Sequence, residues 1–447
     1  MIAIQKKRPG FDIFLWLPIF AVCVDLFTPY LIWKNYIPAE IRWLSHLAVA
    51  MMIVAAFIRM LGFNRIPLMA WLIFTTIILW SYVAIGHGQG IAPTVWGVWL
   101  LFQFPFVALF MYLQPEMPQR LPEYVRRLCL IILGVEVIAQ LLQFAFGVTP
   151  GDDLSGLFGK NGTGNAFLFE ILVCCVFFGH WITTKQWTGL LAALFMSMVS
   201  SVLGEMKIFA VAITIIGLMA AFLYAIKYRA PGKTLFYLTL IFIVLISFVS
   251  LYNNIIPGAD KTPIQTFITN PARLLKYLNF TSSSNKGGNV SSYLGRLDAI
   301  RIGWDSIKKD PITLLFGFGL GTRNESQTLG TTGAALTRGS LGVAVGTSML
   351  VMMQEMGIIG LALLAGFLLW ILLTMVHDIR AHPESPAIGL RYALLLFSIL
   401  WPVWLWYATT WTMRVPMLLY WMLLGYVLAE SRQLIAKIRL HSRKEAG

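Results

Sequence analysis

Charge is what this sequence has least of. Only 12% of its 447 residues are charged, and the 20 acids are outnumbered by 34 bases. Soluble globular domains commit about a quarter of their residues to charge, so that class is excluded. Cysteine is nearly absent as well: Cys23, Cys129, Cys174 and Cys175 all fall in or beside apolar runs. Four such residues suggest neither a disulfide framework nor a thiolate metal site. The six histidines are scattered, none lies between 253 and 345, and no H-x-x-x-H pair or carboxylate cluster has metal-ligand spacing. The expected chemistry therefore uses no metal and no cofactor.

Hydrophobic residues, by contrast, make up 58% of the chain. Runs long enough to cross a hydrocarbon core of about 30 Å occur at about 11–33, 41–61, 67–86, 91–113, 126–147, 165–183, 187–204, 208–226, 233–252, 346–375, 387–408 and 413–431. Twelve spans are thus expected, in an all-α polytopic transmembrane helical bundle. The first run exceeds a signal peptide's apolar region and no small-residue cleavage site follows it, so it is expected to stay on the protein.

Lys and Arg set the expected orientation. With a cytoplasmic N-terminus, nineteen of the 34 basic residues face the cytoplasm and five, Lys34, Arg42, Lys160, Lys207 and Arg414, face outward in short loops. The remaining ten lie in one long segment. Both termini are then cytoplasmic, and the net charge of +14 is a topological signal rather than a nucleic-acid footprint. The chain divides into spans one to nine over 1–252, an extracytoplasmic (periplasmic) loop over 253–345, and spans ten to twelve with a cytoplasmic tail over 346–447.

That loop is too long for a mere connector. It opens with Pro257, Pro263 and Pro271, continues through a Ser/Asn/Gly run at 281–292, and closes in a Gly/Thr/Ser tract at 317–348. Between them Tyr293, Leu294, Leu297, Ile300, Trp304 and Ile307 recur at helical spacing. The pattern predicts an amphipathic helix at about 293–309, ended by Pro311 and lying on the membrane surface or over the bundle. No internal repeat of hydropathy is present, which disfavours an inverted-repeat transporter.

Glu205 and Lys207 interrupt what would otherwise be one apolar stretch, which places them in a tight outer turn between spans seven and eight. A cation beside the open N–H groups of a helix start makes an anion site; the alternative is a surface turn with Lys207 snorkelling to water. Arg296 and Arg301 sit on the loop helix, where Asp298 and Asp305 also offer Arg301 ordinary i,i+3 and i,i+4 pairing. Arg323 and Arg338 lie in Gly-rich sequence, and Gly317-Phe318-Gly319-Leu320-Gly321 can form a backbone nest for phosphate. Upstream, LSGLFGKNGTGNAFLFE carries Lys160 in a turn and delivers Asn165 and Glu170 into span six. Glu355 lies about two turns into span ten, whereas Asp25 and Arg414 mark helix interfaces.

Together SGLFGKNGTGN, the charged turn, SYLGRLDAIRIGWDSIKKDPITLLFGFGLGT and MLVMMQEMGIIGLALL resemble, in order and spacing over about 150–375, the bacterial O-antigen ligase and Wzy-type polysaccharide polymerase superfamily. The resemblance implies a GT-C-like bundle in the inner membrane. It also implies an undecaprenyl-pyrophosphate-linked glycan as donor, inverting glycosyl transfer without a metal, and a chain-length regulator and a flippase as companions. Carried over by residue, Lys207 stands where relatives have a turn Arg, Glu205 takes a Ser place and is the candidate base, Arg296 opens the loop helix, and Arg301 is an added cation. Arg323, Arg338, Asn165 and Lys160 are the candidate substrate contacts. Ligases carry a His at the place of Gly346, and its absence favours a polymerase of O-antigen or exopolysaccharide repeats over a ligase to lipid A core. A transporter or flippase of lipid-linked sugars is the alternative from another class, and a scaffold without chemistry a third.

Overall fold

Hydrocarbon offers no partner to a peptide group, so a chain this apolar must close its backbone hydrogen bonds within helices. The computed structural model describes residues 16–62, 66–115, 118–255, 270, 272, 295–326, 330–337 and 347–445. Its helices are α1 (Trp16–Trp33), α2 (Trp43–Leu61), α3 (Leu68–Gly86), α4 (Ile91–Tyr112), α5 (Leu121–Ala145), α6 (Thr163–Thr184), α7 (Thr188–Leu203), α8 (Ile208–Tyr228) and α9 (Pro231–Ile255). The short elements α10 (Arg296–Ile307), α11 (Pro311–Phe316) and α12 (Ala334–Thr337) follow, and then α13 (Ser348–Ala381), α14 (Ile388–Ile399), α15 (Trp401–Tyr407) and α16 (Arg414–Glu445). A two-residue antiparallel pairing, Glu325 to Thr332 and Ser326 to Thr331, is the one sheet among the described residues.

Each of the twelve apolar runs overlaps a helix, yet among the described residues eight helices are individually long and apolar enough to span: α1–α6, α8 and α13. A ninth candidate is the α14–α15 pair, bent by 48° where Pro402 enters the first turn of α15 and its missing N–H and ring cannot continue the preceding helix. α7 has 16 residues and the apolar stretch of α9 is likewise short. The chain is thus an all-α, multi-pass membrane protein.

α6 is the axis of the bundle, with almost every side chain buried. It meets α14 where a Cβ on Gly179 would lie 2.1 Å from the Gly389 carbonyl oxygen. Such backbone approach requires small residues. The outward faces of α2, α3 and α13 carry Leu47, Val54, Ile58, Trp71, Ile78, Leu369 and Leu373, all exposed and suited to lipid. Opposite the end where the long loop leaves, Arg391 is fully buried and ties α14 to α16 through Glu430 and through Ser431 Oγ at 2.9 Å.

The end carrying the loop, called here the loop end, is capped by α10. The expected amphipathic helix is there, and it packs on the bundle: Ala299 and Ile307 bury against Leu350 and Met353 of α13. Asp310 caps α11 by accepting the Thr313 N–H at 2.8 Å and its hydroxyl at 2.9 Å, which holds its carboxyl below the usual range. Tyr293, Leu294, the prolines at 257, 263 and 271, and the run at 281–292 lie outside the described residues, as do Arg338 and Gly346.

α13 is broken near its start. Gly357 adopts φ 64°, ψ −164°, a conformation open essentially to glycine, and the break releases the preceding carbonyls from helical bonding. The Gly-rich loop takes them up: Phe318 N–H donates to Gln354 O at 2.8 Å and Gly319 N–H to Glu355 O at 2.9 Å. Trp80 Nε1–H of α3 donates to Met356 O at 3.0 Å and Phe316 O at 2.8 Å.

Candidate functional site

The charged turn between α7 and α8 is built from its buried members outward. Ser200 and Ser201, near the end of α7, each donate to a carboxylate oxygen of Glu170 on α6, Ser201 at 2.6 Å. All three side chains are fully buried, so α7 is fixed to α6 just before the chain turns. Glu205 then takes a left-handed φ of 54°, Met206 N–H returns to Ser201 O at 2.8 Å, and the Met206 side chain is buried. With Met206 as anchor, Glu205 and Lys207 are held half-buried on either side of it. Lys207 occupies the N-cap of α8, whose first turn receives no side-chain cap. Its ammonium lies 5.7 Å from the ring centre of Tyr252 on α9, a cation–π geometry.

The start of α6 lies beside this turn, for a Cβ on Gly204 would come 3.4 Å from the Thr163 methyl. The loop before α6 is clamped to α5. Glu136 accepts the Leu157 N–H at 2.8 Å, while Gln143 donates to Gly156 O and accepts its N–H, both at 3.0 Å. Gln140 donates to Glu136 at 3.0 Å. Asn165 is half-buried in the first turn of α6 and Lys160 is exposed in the loop before it.

On the other side of that first turn, Phe167 packs on Tyr407, their ring centres 6.4 Å apart. Arg296 in turn covers Tyr407: its Nε donates to Tyr407 O at 2.7 Å and its guanidinium carbon lies 4.2 Å from the ring centre. The structure thus ties the turn of Glu205 and Lys207 to the start of α6 through Gly204 and Thr163, and Arg296, the first residue of α10, to the same helix through Tyr407 and Phe167, with Asn165 between Thr163 and Phe167 in sequence. Arg301 does not join them. It is exposed on the face of α10 turned away from Ala299, Gly303 and Ile307, within electrostatic reach of Asp305.

Arg323 is also placed differently from the expectation of a flexible substrate contact. Its side chain is buried, with Nη1 on Gln354 Oε1 and its backbone N–H on Glu355 Oε1 at 3.1 Å. Asn324 Nδ2 shares that oxygen at 3.1 Å. Burial pushes the guanidinium down to about 10 against the opposing pull of Glu355. The phosphate nest expected of Gly317, Gly319 and Gly321 is corrected too: the N–H groups of Phe318 and Gly319 are spent on α13 carbonyls. The glycines are there for closeness, since a Cβ on Gly319 would lie 2.2 Å from Ala84 N and one on Gly321 1.9 Å from Pro93 O.

Asp25 and Arg414 form the helix interface expected of them. Asp25 Oδ2 accepts from Ser45 at 2.7 Å and from Arg414 Nε at 2.8 Å, and Arg414 Nη1 donates to Gln103 at 2.8 Å. Both Arg414 Nη1 and Trp99 Nε1 point at His46 Nδ1, so that nitrogen carries the lone pair. Sequence reasoning missed Glu136, Gln140 and Gln143, although their i, i+4, i+7 spacing inside an apolar run is a polar stripe that must face protein rather than lipid. Among the described residues no three His, Cys, Asp or Glu side chains are grouped as a metal would require. Compared with protein-family models and with curated proteins, the chain matches none.

Proposed function

We propose that the protein is a glycosyltransferase that joins lipid-pyrophosphate-linked oligosaccharide repeats into a polymer, an O-antigen or exopolysaccharide, at the loop end of a GT-C-like bundle. The observation that carries the reading is the pair of half-buried cations, Lys207 in the α7–α8 turn that meets Thr163 and Arg296 at the head of the amphipathic helix, linked to Phe167 through Tyr407, both adjoining the beginning of α6. In this reading the loop end faces the periplasm, the bilayer is the bacterial inner membrane, and a repeat-unit flippase and a chain-length regulator work beside the protein.

A sugar hydroxyl oxygen of one lipid-linked repeat attacks the anomeric carbon of another. The bond from that carbon to the pyrophosphate oxygen breaks with inversion, its electron pair leaves on undecaprenyl pyrophosphate, and the hydroxyl proton passes to Glu205. Pyrophosphate is a stable leaving anion, so the transition state asks chiefly for positive charge placed where negative charge accumulates. Lys207 and Arg296 supply it from half-buried positions, where a charge acts more strongly than in water. Asn165 and Lys160 lie where the glycan would enter. Arg301, on the solvent face of α10, meets the incoming chain rather than the leaving group.

The test is chain extension by the purified full-length protein in proteoliposomes given lipid-linked repeat. Extension by wild type but not by Lys207→Ala or Arg296→Ala, with all three inserted equally, supports the reading; undiminished polymer from both variants removes it. Transfer to lipid A core instead of to a second repeat would make the enzyme a ligase. The buried carboxylates Glu136 and Glu170 favour a second reading, a transporter of lipid-linked sugar, in which sugar crosses the vesicle wall and no glycosidic bond forms.

A further inference from the structure

A cavity of about 630 Å³ opens at the end of the bundle remote from α10, between the start of α5, the ends of α6 and α8, and the connection from α13 to α14. Arg120, Arg126 and Lys227 line it. Among the described residues no carboxylate lies within ion-pair distance of Arg120 or Arg126. Arg126 Nη1 instead lies 2.7 and 2.8 Å from the two ring nitrogens of His180, and an imidazole supplies no counter-charge. The Lys227 ammonium sits 5.4 and 5.5 Å from the ring centres of Tyr228 and Tyr392. Two acids share the wall: Glu123 is ion-paired with Arg127 and also acts at longer range on Arg126, and Glu384 acts on Lys227. The helix ends do not decide the sign, because the N-termini of α5 and α14 and the C-termini of α6 and α8 all open here and oppose one another. The side chains decide it, and they leave a surplus of positive charge. A volume of this size suits a small ligand.

We infer that this cavity binds a phosphate-bearing anion, at a site separate from the loop end and independent of the chemistry proposed there. Two sources present the same chemistry, the headgroup of an anionic phospholipid and a soluble phosphate compound. Guanidinium groups match phosphate through paired N–H donors, and Lys227 adds a compact charge.

The experiment uses the purified full-length protein, with retained dioleoylphosphatidylglycerol counted by native mass spectrometry and inorganic pyrophosphate titrated at constant ionic strength by thermal shift. The variants are Arg126→Gln and, because that residue packs on His180, the milder double variant Arg120→Gln/Lys227→Gln; Lys309→Gln, remote from the cavity, is the control. Binding is expected in wild type and in the control, with each lost cation weakening it about 5-fold. Loss of the lipid alone identifies a headgroup site, loss of pyrophosphate alone a site for a soluble phosphate, and loss of both a site open to either. The inference is overturned if neither probe binds, or if the cavity variants bind as the control does.

Discussion

Lys207 shows how a charge that interrupts an apolar run can come to rest at a helix start, where the proposed chemistry needs a cation. Its position depends on the buried partners around it: Glu170 fixes Ser200 and Ser201, Met206 fills the core, and the ammonium comes to rest near Tyr252. Removing a charge that stabilises a developing anion costs on the order of 10²–10³ in rate. Lys207→Ala should therefore lose about that much chain extension, measured as polymer length and turnover at matched protein level, and Lys207→Arg should retain part of it. Arg296 should tolerate less, because it bonds Tyr407 O through Nε while stacking on the same residue's ring. An ammonium cannot do both, so Arg296→Lys should fall nearly as far as Arg296→Ala in the same assay. The two sites were not equally readable in advance. Lys207 announces itself by breaking an apolar run, whereas Arg323 sits in Gly-rich sequence and is buried only because Glu355, 32 residues later, is folded against it.

At the scale of elements, the joint between α3, the Gly-rich loop and the broken start of α13 decides the shape of the loop end. One helix gives up its own hydrogen bonds at Gly357, and the loop at 318–319 and the Trp80 indole replace them. A side chain at Gly357 would meet a forbidding φ of 64° and place its Cβ 2.5 Å from both Gly317 N and Leu315 O. Gly357→Ala should cost at least the roughly 1–3 kcal/mol of such a backbone outlier, read as a lowered unfolding temperature in detergent. Trp80→Phe keeps an aromatic ring but removes the pyrrole half of a buried indole and with it the one donor serving two carbonyls, the lost donor alone costing about 1–3 kcal/mol. Since both changes open the same joint, the double variant should lose less than the sum of the two; strict additivity would show that the joint does not act as a unit. The apolar helices and α10 were visible in the sequence because hydropathy and helical period are local properties, whereas the expected count of twelve spans was not reached among the described residues, where eight helices, or nine with the bent α14–α15 pair, are long and apolar enough. The break was not, since MQEMGIIG reads as uninterrupted helix until the loop that accepts its carbonyls is folded beside it.

The whole molecule has two chemically different ends, and the proposal requires them to face different compartments. Lys207, Arg296 and Arg323 lie separately at the loop end, near Tyr252, Tyr407 and Glu355 respectively, while Arg120, Arg126, Lys227 and Arg391 sit where α6 and α8 finish. The cavity lined by the start of α5 and the ends of α6 and α8 puts those three helix termini at one end of the bundle, so fixing the side of one of them fixes the others. The basic residues expected on the cytoplasmic side are 19 of 34, against five in the opposite short loops, a bias that orients multi-pass chains. Single cysteines on a background with Cys23, Cys129, Cys174 and Cys175 replaced by serine report this directly. If the loop end faces outward as proposed, a thiol at Lys309, exposed between α10 and α11, should react with a membrane-impermeant maleimide while the membrane is sealed. One at Lys185, exposed just past α6, should react only after the membrane is opened. The reverse pattern would put Lys207 and Arg296 on the cytoplasmic face, opposite to the periplasmic side the proposed reaction requires, and the glycosyl-transfer reading would fall even with every side chain where the fold places it.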